Sequence, residues 1–228
     1  MLKAEYQHRG KVPQDVIEAV KLELPPLAAG QALVKVLAAP INPSDVLTLT
    51  GEYGMLPPLP AIGGNEGVGR VEQLGEGVKH LKVGQTVLLP VGCGTWVTHL
   101  NAPADKLIPL PDADPQQLAM MTINPPTASL LLSQFVDLQP GDWVIQNAAN
   151  SGVGGYLIQL AKLRGFKTIN VVRRESAVAG VKAEGGDVVL VDGPDLHKRV
   201  REATGGAKLM LGIDAVSYTH LRAHETRG

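Results

Sequence analysis

The chain has 228 residues, of which 44% are hydrophobic and 19% charged, and its formal net charge is −1. These values are ordinary for a soluble globular protein, and a net charge near zero argues against nucleic acid or an anionic membrane as the main partner. No apolar run approaches the roughly 20 residues of a membrane span, and the amino terminus lacks a signal-peptide pattern. The single cysteine, Cys93, excludes an internal disulfide and a Cys-rich zinc site. We therefore expect a soluble, cytoplasmic protein.

Glycine and proline interrupt residues 1–115 every few positions. The runs between them are short and alternate in polarity or are rich in β-branched residues: VIEAVKLEL, ALVKVLAA, VGRVEQLG, QTVLLPV and KLIPLP. Runs of this kind predict a small, mostly antiparallel β-domain with irregular loops.

Tyr53 is one of only 4 tyrosines, and it stands between two glycines in the segment TGEYGMLPPLP, residues 50–60. The glycines loosen the backbone around it, and the prolines that follow exclude a helix directly behind it. Three roles fit this setting: a surface turn residue, a plug over the core, or a hydroxyl held beside a substrate.

From about residue 116 the pattern changes to continuous apolar runs that recur about every 20 residues. These runs are WVIQNAA, TINVV, DVVLV and LMLGIDAV, and the segments VGGYLIQLAKLRG, SAVAGVKAEGG and DLHKRVREATGG lie between them. The first such segment places Val153, Leu157, Leu160 and Ala161 on one helical face and ends at Gly165, which suits a C-cap. Apolar strands that alternate with helices predict a doubly wound parallel sheet, covered on both faces.

The first of these strands leads directly into the glycine loop NAANSGVGG. Gly152 and Gly154 would allow a pyrophosphate to approach the backbone N–H groups at a helix N-terminus, where the helix dipole also favours an anion. In the order strand, glycine loop, helix, strand, this motif indicates a dinucleotide site. The alternative is a close helix–strand contact in an α/β protein that binds no nucleotide.

Two arginines follow the second strand of this half. Arg173 and Arg174 stand where an NAD site has an Asp or Glu for the ribose 2′-hydroxyl, about 20 residues after the loop. Two cations suit a 2′-phosphate, so the sequence favours NADP(H) over NAD(H). The alternative is a solvated basic loop end, with Glu175 beside it.

The motifs INPSD, GEYG, GGNEGVG, GTW, INPPT and QNAANSGVG occur in this order. With them, residues 2 to about 190 resemble the zinc-independent trans-2-enoyl-CoA and acyl-carrier-protein reductases of the medium-chain dehydrogenase/reductase superfamily. The resemblance implies a GroES-like catalytic domain at residues 1–115 and a partial NADP-binding Rossmann domain at residues 116–215. It also implies NADPH-dependent reduction of an enoyl-CoA or enoyl-acyl-carrier-protein in fatty-acid synthesis.

In the resembling enzymes a hydride goes to the β-carbon of the thioester and a proton to the α-carbon. Their proton-donating tyrosine aligns with Tyr53, and the alternative is a tyrosine that only lines the cleft. Asn124 aligns with an asparagine near the nicotinamide, although an Asn-Pro turn at the start of a helix would also explain it. The positions that align with the cofactor site are Asn124, Asn150, Ser151, Gly152, Val153, Gly154, Arg173 and Arg174.

The resemblance also bears on metals, alternative activities and partners. Zinc-dependent members of the superfamily use a Cys and a His where this chain has Asn42, Asp45 and Asn65, with Glu66 alone, so no metal is expected. Two other functions stay open: a zinc-independent quinone or enone reductase, and a non-catalytic NADP(H)-binding relative. A complete protein of this kind allows a homodimer through the nucleotide domain.

The last 13 letters, VSYTHLRAHETRG at residues 216–228, do not continue the pattern. They resemble the translation of a transposon-end adapter used in DNA library preparation. A doubly wound dinucleotide domain has about six strands, and four are present. We therefore expect a non-native tail on an amino-terminal fragment truncated after about four strands, and a chain that is inactive as written.

Overall fold

The computed structural model describes residues 1–215, and the expected non-native tail at residues 216–228 lies outside the described residues. The chain divides into two units, one of Met1–Ile123 and one that begins at Asn124. The sequence predicts the change near residue 115. The division comes later because Leu118 and Ala119 are buried against Val68 of the first unit.

Among the described residues the first unit contains eight strands and two short α-helices, besides two 3-10 turns. The strands are β1 (Leu2–Tyr6), β2 (Ile17–Lys21), β3 (Gln31–Ala38), β4 (Ala61–Ile62), β5 (Val68–Leu74), β6 (Thr86–Leu88), β7 (His99–Pro103) and β8 (Ile108–Pro109). The helices are α1 (Pro43–Thr50) and α2 (Pro115–Leu118).

All strand pairs of the first unit are antiparallel, which confirms the predicted β-domain. One sheet has the order β2-β1-β4 and the other the order β7-β3-β5-β6-β8. Alternate residues of β3, Ala32 and Val34, are fully buried with Val87 and Leu89 in the core of the larger sheet. A second cluster contains Tyr6 and joins the smaller sheet to α1.

The second unit consists of four strands and four helices up to residue 215. They are α3 (Asn124–Leu131), β9 (Trp143–Gln146), α4 (Gly152–Leu163), β10 (Lys167–Val172), α5 (Val178–Ala183), β11 (Val188–Val191), α6 (Leu196–Ala203) and β12 (Leu209–Ile213). The strands form one parallel sheet of order β11-β10-β9-β12, as predicted. None of the described helices is long and apolar enough to cross a bilayer.

The periodicity of α4 is confirmed by its packing. Leu157 and Ala161 are fully buried against Val144 of β9, and Val153 and Leu160 pack at the edge of the same cluster. The helix ends just before Gly165, whose φ of 77° is in the left-handed region that glycine adopts without strain. The glycine therefore turns the chain towards β10.

Candidate active site

Tyr53 lies immediately after α1. The helix begins after Asn42, whose backbone N–H donates to Asp45 Oδ2 at 2.7 Å. It ends at Gly51, which has a φ of 85°, and the N–H groups of Glu52 and Tyr53 both donate to the carbonyl of Leu47. This C-terminal turn fixes the backbone of Tyr53.

The side chain of Tyr53 lines a cavity of about 520 Å³ in the first unit. It is 38% exposed, and its hydroxyl has no hydrogen-bond partner among residues 1–215. The polar part of the wall includes Thr48 and Asn65, and the apolar part includes Met55 and Val91. A hydroxyl that is free and faces a wall of mixed polarity can donate to a bound ligand.

Asn42, Asp45, Asn65 and Glu66 form a hydrogen-bond network beside this cavity. Asn65 Nδ2 donates to Asp45 Oδ1 at 2.7 Å, and Asn42 Nδ2 donates to Glu66 Oε1 at 2.8 Å. The backbone N–H of Ile123 donates to Glu66 Oε2 at 3.1 Å. Among residues 1–215 no group of three or more His, Cys, Asp or Glu side chains could hold a metal ion.

Both carboxylates of this network are buried, Glu66 completely and Asp45 to 3% exposure. Burial raises the pKa of Glu66, and the neighbouring Asp45 adds to the rise, while hydrogen bonds from Asn42 and from backbone N–H groups oppose it. Burial also raises the pKa of Asp45, against hydrogen bonds from Asn42 and Asn65. The network therefore favours protonated carboxyl groups more than water does.

Two glycines of the GGNEGVG motif make room for Trp96. A Cβ on Gly63 would lie 2.2 Å from the indole ring, and one on Gly64 would lie 2.6 Å from it. Trp96 Nε1 donates to the carbonyl of Pro40 at 3.1 Å. The close contact holds the strand that precedes Asn65 and Glu66.

Cys93 packs at the edge of the larger core cluster of the first unit. Burial raises the pKa of its thiol to about 11. Because the thiolate is the nucleophilic form, Cys93 is poorly suited to act as a nucleophile.

The predicted glycine loop connects β9 to α4. Ser151 is the N-cap of α4, and its Oγ accepts from the N–H of Gly154 at 3.1 Å. The N–H groups of Gly152 and Val153 have no acceptor among the described residues. A Cβ on Gly154 would lie 2.4 Å from the carbonyl oxygen of Ala149, so only glycine fits there. The loop therefore offers two free donors at the start of a 12-residue helix.

Neighbouring strands hold this loop from both sides. The N–H of Ala149 donates to the carbonyl of Val171 in β10 at 3.2 Å. Asn147 Nδ2 donates to Asp214 Oδ1 after β12 at 2.6 Å. Because β10 and β12 lie on opposite sides of β9, the loop stands where the strand order reverses, the usual ligand position in such sheets.

The remaining predicted positions lie in the second unit. Arg173 and Arg174 follow β10 directly, are exposed, and form no ion pair with a described residue. Asn150 is exposed in the glycine loop. Asn124 is buried, with 8% exposure, and is the first residue of α3. The structure thus brings the loop and the arginine pair to the same edge of one sheet.

Sequence reasoning did not single out Gln146, a fully buried polar residue at the end of β9. The only signal in the sequence is a polar residue at an inward position of an otherwise apolar strand.

Comparisons with known proteins agree with this fold. The alcohol dehydrogenase GroES-like domain family matches residues 28–112. The human mitochondrial enoyl-acyl-carrier-protein reductase is 49% identical over 170 residues, which is 74% of this chain and 45% of that protein. The chain therefore spans about half the length of the curated relatives it matches.

The solved structures that match nearly the whole chain include the following three. The mitochondrial 2-enoyl thioester reductase heterodimer of Candida tropicalis matches with a TM-score of 0.85 at 30% identity. The match covers 95% of this chain and 69% of the Candida chain. A complex of Etr1p with NADP and crotonyl-CoA has a TM-score of 0.84 at 29% identity, with the same coverage. An NADPH:quinone reductase from Bacillus thuringiensis has a TM-score of 0.84 at 33% identity and covers 95% of this chain and 66% of that one.

The expectation of a cytoplasmic protein is wrong, because the enoyl-acyl-carrier-protein reductases that match are named mitochondrial in organisms from human to fission yeast. Composition could not reveal this, since the cytoplasm and the mitochondrial matrix are both aqueous and favour similar protein surfaces. The similarity to enoyl reductases extends through both units and includes the GroES-like domain and the parallel sheet. The chain therefore belongs to the enoyl thioester reductase family of the medium-chain dehydrogenase/reductase superfamily.

Proposed function

We propose that the complete protein reduces trans-2-enoyl thioesters with NADPH. The observation that carries the proposal is the free hydroxyl of Tyr53 in a cavity of about 520 Å³. It is supported by the 49% identity over 170 residues to an enoyl-acyl-carrier-protein reductase. The first unit would hold the reacting part of the substrate and supply the proton. The second unit would hold the nucleotide.

The second unit fits an NADP(H) molecule by its local chemistry. The free N–H groups of Gly152 and Val153 would bind the pyrophosphate, and the missing side chain of Gly154 lets the loop pack closely under it. Arg173 and Arg174 would bind the 2′-phosphate, since guanidinium groups form strong charge-assisted bonds to phosphate. Asn124 would contact the nicotinamide end of the cofactor.

When bound, NADPH supplies the hydride that the β-carbon of the conjugated thioester accepts. The chain must then supply a proton to the α-carbon, where negative charge develops. Tyr53 would donate that proton from its hydroxyl, because a tyrosine hydroxyl can act as a general acid.

The acyl carrier and the assembly state follow from the same relatives. We propose an enoyl-CoA or an enoyl-acyl-carrier-protein as the substrate, because one solved relative binds crotonyl-CoA and others are named for the carrier protein. A dimer is proposed because one solved relative is a heterodimer. Light scattering on the complete protein would show a dimer or overturn this part.

A quinone reductase is the second candidate, favoured by the 33% identity to the Bacillus thuringiensis protein. The two are distinguished by following NADPH oxidation by the protein expressed from its complete gene, with crotonyl-CoA and with benzoquinone. Faster turnover of crotonyl-CoA, with NADPH preferred to NADH, supports the proposal. Turnover of benzoquinone alone supports the second candidate, and nucleotide binding without either reaction indicates a non-catalytic relative.

A further inference from the structure

Three polar side chains lie at buried positions on one face of β9 and β10. Gln146, Thr168 and Asn170 are each at most 1% exposed. The strand register places Gln146 beside Asn170, and Thr168 beside Val144. Val144 packs in the apolar cluster under α4, so this face is one that apolar residues normally fill.

The three side chains form a chain of hydrogen bonds that reaches the glycine loop at one end. Gln146 Nε2 donates to Asn170 Oδ1 at 2.8 Å and to the carbonyl of Gly154 at 3.2 Å. Asn170 Nδ2 donates to Thr168 Oγ1 at 2.9 Å, and Thr168 bonds onward to Asp187. Gln146 is the member of this chain that contacts the first turn of α4.

The remaining side-chain atom of Gln146 is not satisfied. Its Oε1 is buried and has no hydrogen-bond partner among residues 1–215. A buried, unpaired acceptor costs about 1–3 kcal/mol, and an apolar side chain of similar length would avoid that cost. An apolar side chain would lose two contacts of Gln146, the bond to Asn170 Oδ1 inside the network and the bond to the Gly154 carbonyl, and of these two only the second reaches the loop.

We propose that Gln146 is a positioning residue of the dinucleotide site. By holding the Gly154 carbonyl it fixes the orientation of the first turn of α4, in which the free N–H groups of Gly152 and Val153 must point at the same phosphate. This inference rests on the proposed function, in which the loop binds NADP(H).

The test compares Gln146→Met with Thr168→Val in the protein expressed from its complete gene. Thr168→Val breaks the same buried network, but Thr168 bonds only to Asn170 and Asp187 and does not reach the loop. Both variants lose stability in urea unfolding. Gln146→Met also weakens NADPH binding, measured by fluorescence titration, by about 3- to 10-fold, the equivalent of one lost hydrogen bond. Thr168→Val leaves the Kd for NADPH unchanged.

A second variant, Gln146→Glu, keeps the size of the side chain and makes the contact depend on pH. A protonated carboxyl group donates to the Gly154 carbonyl, whereas a carboxylate repels it, and burial keeps the group protonated at mildly acidic pH. The ratio of variant to wild-type Kd for NADP⁺ is therefore smaller at about pH 5.5 than at about pH 9.5, because a fully buried Glu can stay protonated up to about pH 8–9. If Gln146→Met does not fold, this ratio tests the proposal in its place.

Wild-type affinity in Gln146→Met, or an equal loss in Thr168→Val, overturns the inference. A Kd ratio for Gln146→Glu that does not change with pH overturns it too. Failure of the wild-type protein to bind either NADP⁺ or NADPH overturns the proposed function itself, and this inference with it.

Discussion

Asn42 Nδ2 donates a hydrogen bond of 2.8 Å to Glu66 Oε1, and this contact joins the start of α1 to a carboxyl group with no solvent exposure. The other oxygen of Glu66 accepts from the backbone of Ile123. One buried side chain thus links α1 to the last residue of the first unit. Its sequence neighbour Asn65 and its hydrogen-bond partner Ile123 line the same cavity as Tyr53.

The raised pKa of Glu66 predicts a pH dependence of stability. The pKa of this carboxyl group is higher in the folded than in the unfolded state. Its contribution to stability is therefore fully present at pH values below the unfolded-state pKa, and it is lost as the pH rises through the folded-state pKa. Glu66→Gln removes the titration. The stability of the wild type relative to Glu66→Gln should therefore fall with rising pH, by at most about 1.4 kcal/mol per pH unit. Urea unfolding from mildly acid to neutral pH measures this, and a constant difference would contradict it.

The arginine pair predicts the nucleotide preference. Replacing Arg173 and Arg174 together by alanine should raise the Kd for NADPH by about 10- to 100-fold, because charge-assisted bonds to the 2′-phosphate are lost. The Kd for NADH should change little. The control is Lys198→Ala with Arg201→Ala in α6, which removes the same charge elsewhere. Equal losses for NADPH and NADH would place the pair outside the 2′-phosphate site.

Gly154 predicts a steric effect. In Gly154→Ala the new Cβ would lie 2.4 Å from the Ala149 carbonyl oxygen, so the loop must move. We expect a loss of about 1–3 kcal/mol in stability, together with loss of NADPH binding. Gly180→Ala in α5 is the matched control, because its Cβ meets nothing within 4 Å, and it should gain about 0.5–1 kcal/mol. A stable, binding-competent Gly154→Ala variant would be incompatible with this geometry.

The thiol of Cys93 predicts slow alkylation. With a pKa of about 11, roughly 0.03% of the thiol is ionised near pH 7.5, against about 10% for an unperturbed cysteine. Iodoacetamide should therefore react at least about 100-fold faster with the unfolded than with the folded protein. Mass spectrometry of timed samples measures both rates, and similar rates would show an ionised, accessible thiol.

Much of the fold could be predicted because glycine and proline spacing separates the β-domain from the regular strand–helix alternation of the second unit. Helix α1 was missed because its sequence, PSDVLTLT, is rich in β-branched residues, while its start depends on the Asn42–Asp45 contact. The division after Ile123 depends on where Leu118 packs, which the sequence alone does not show. The loop and the arginine pair were predictable from their places after two successive strands. The contact of Gln146 with the Gly154 carbonyl was not predictable, because it depends on how the loop folds back over the end of β9.

The most direct measurement is the rate at which the Tyr53→Phe variant reduces crotonyl-CoA. The variant is made in the protein expressed from its complete gene. The matched control is Tyr156→Phe, which removes a tyrosine hydroxyl elsewhere. General acid catalysis contributes about 100- to 10,000-fold to a reaction rate, so the kcat of Tyr53→Phe should fall by at least about 100-fold. Its Kd for NADPH and its stability should stay at wild-type values. Tyr156→Phe should retain turnover. Wild-type turnover in Tyr53→Phe would contradict the account, because Tyr53 would then only line the cavity.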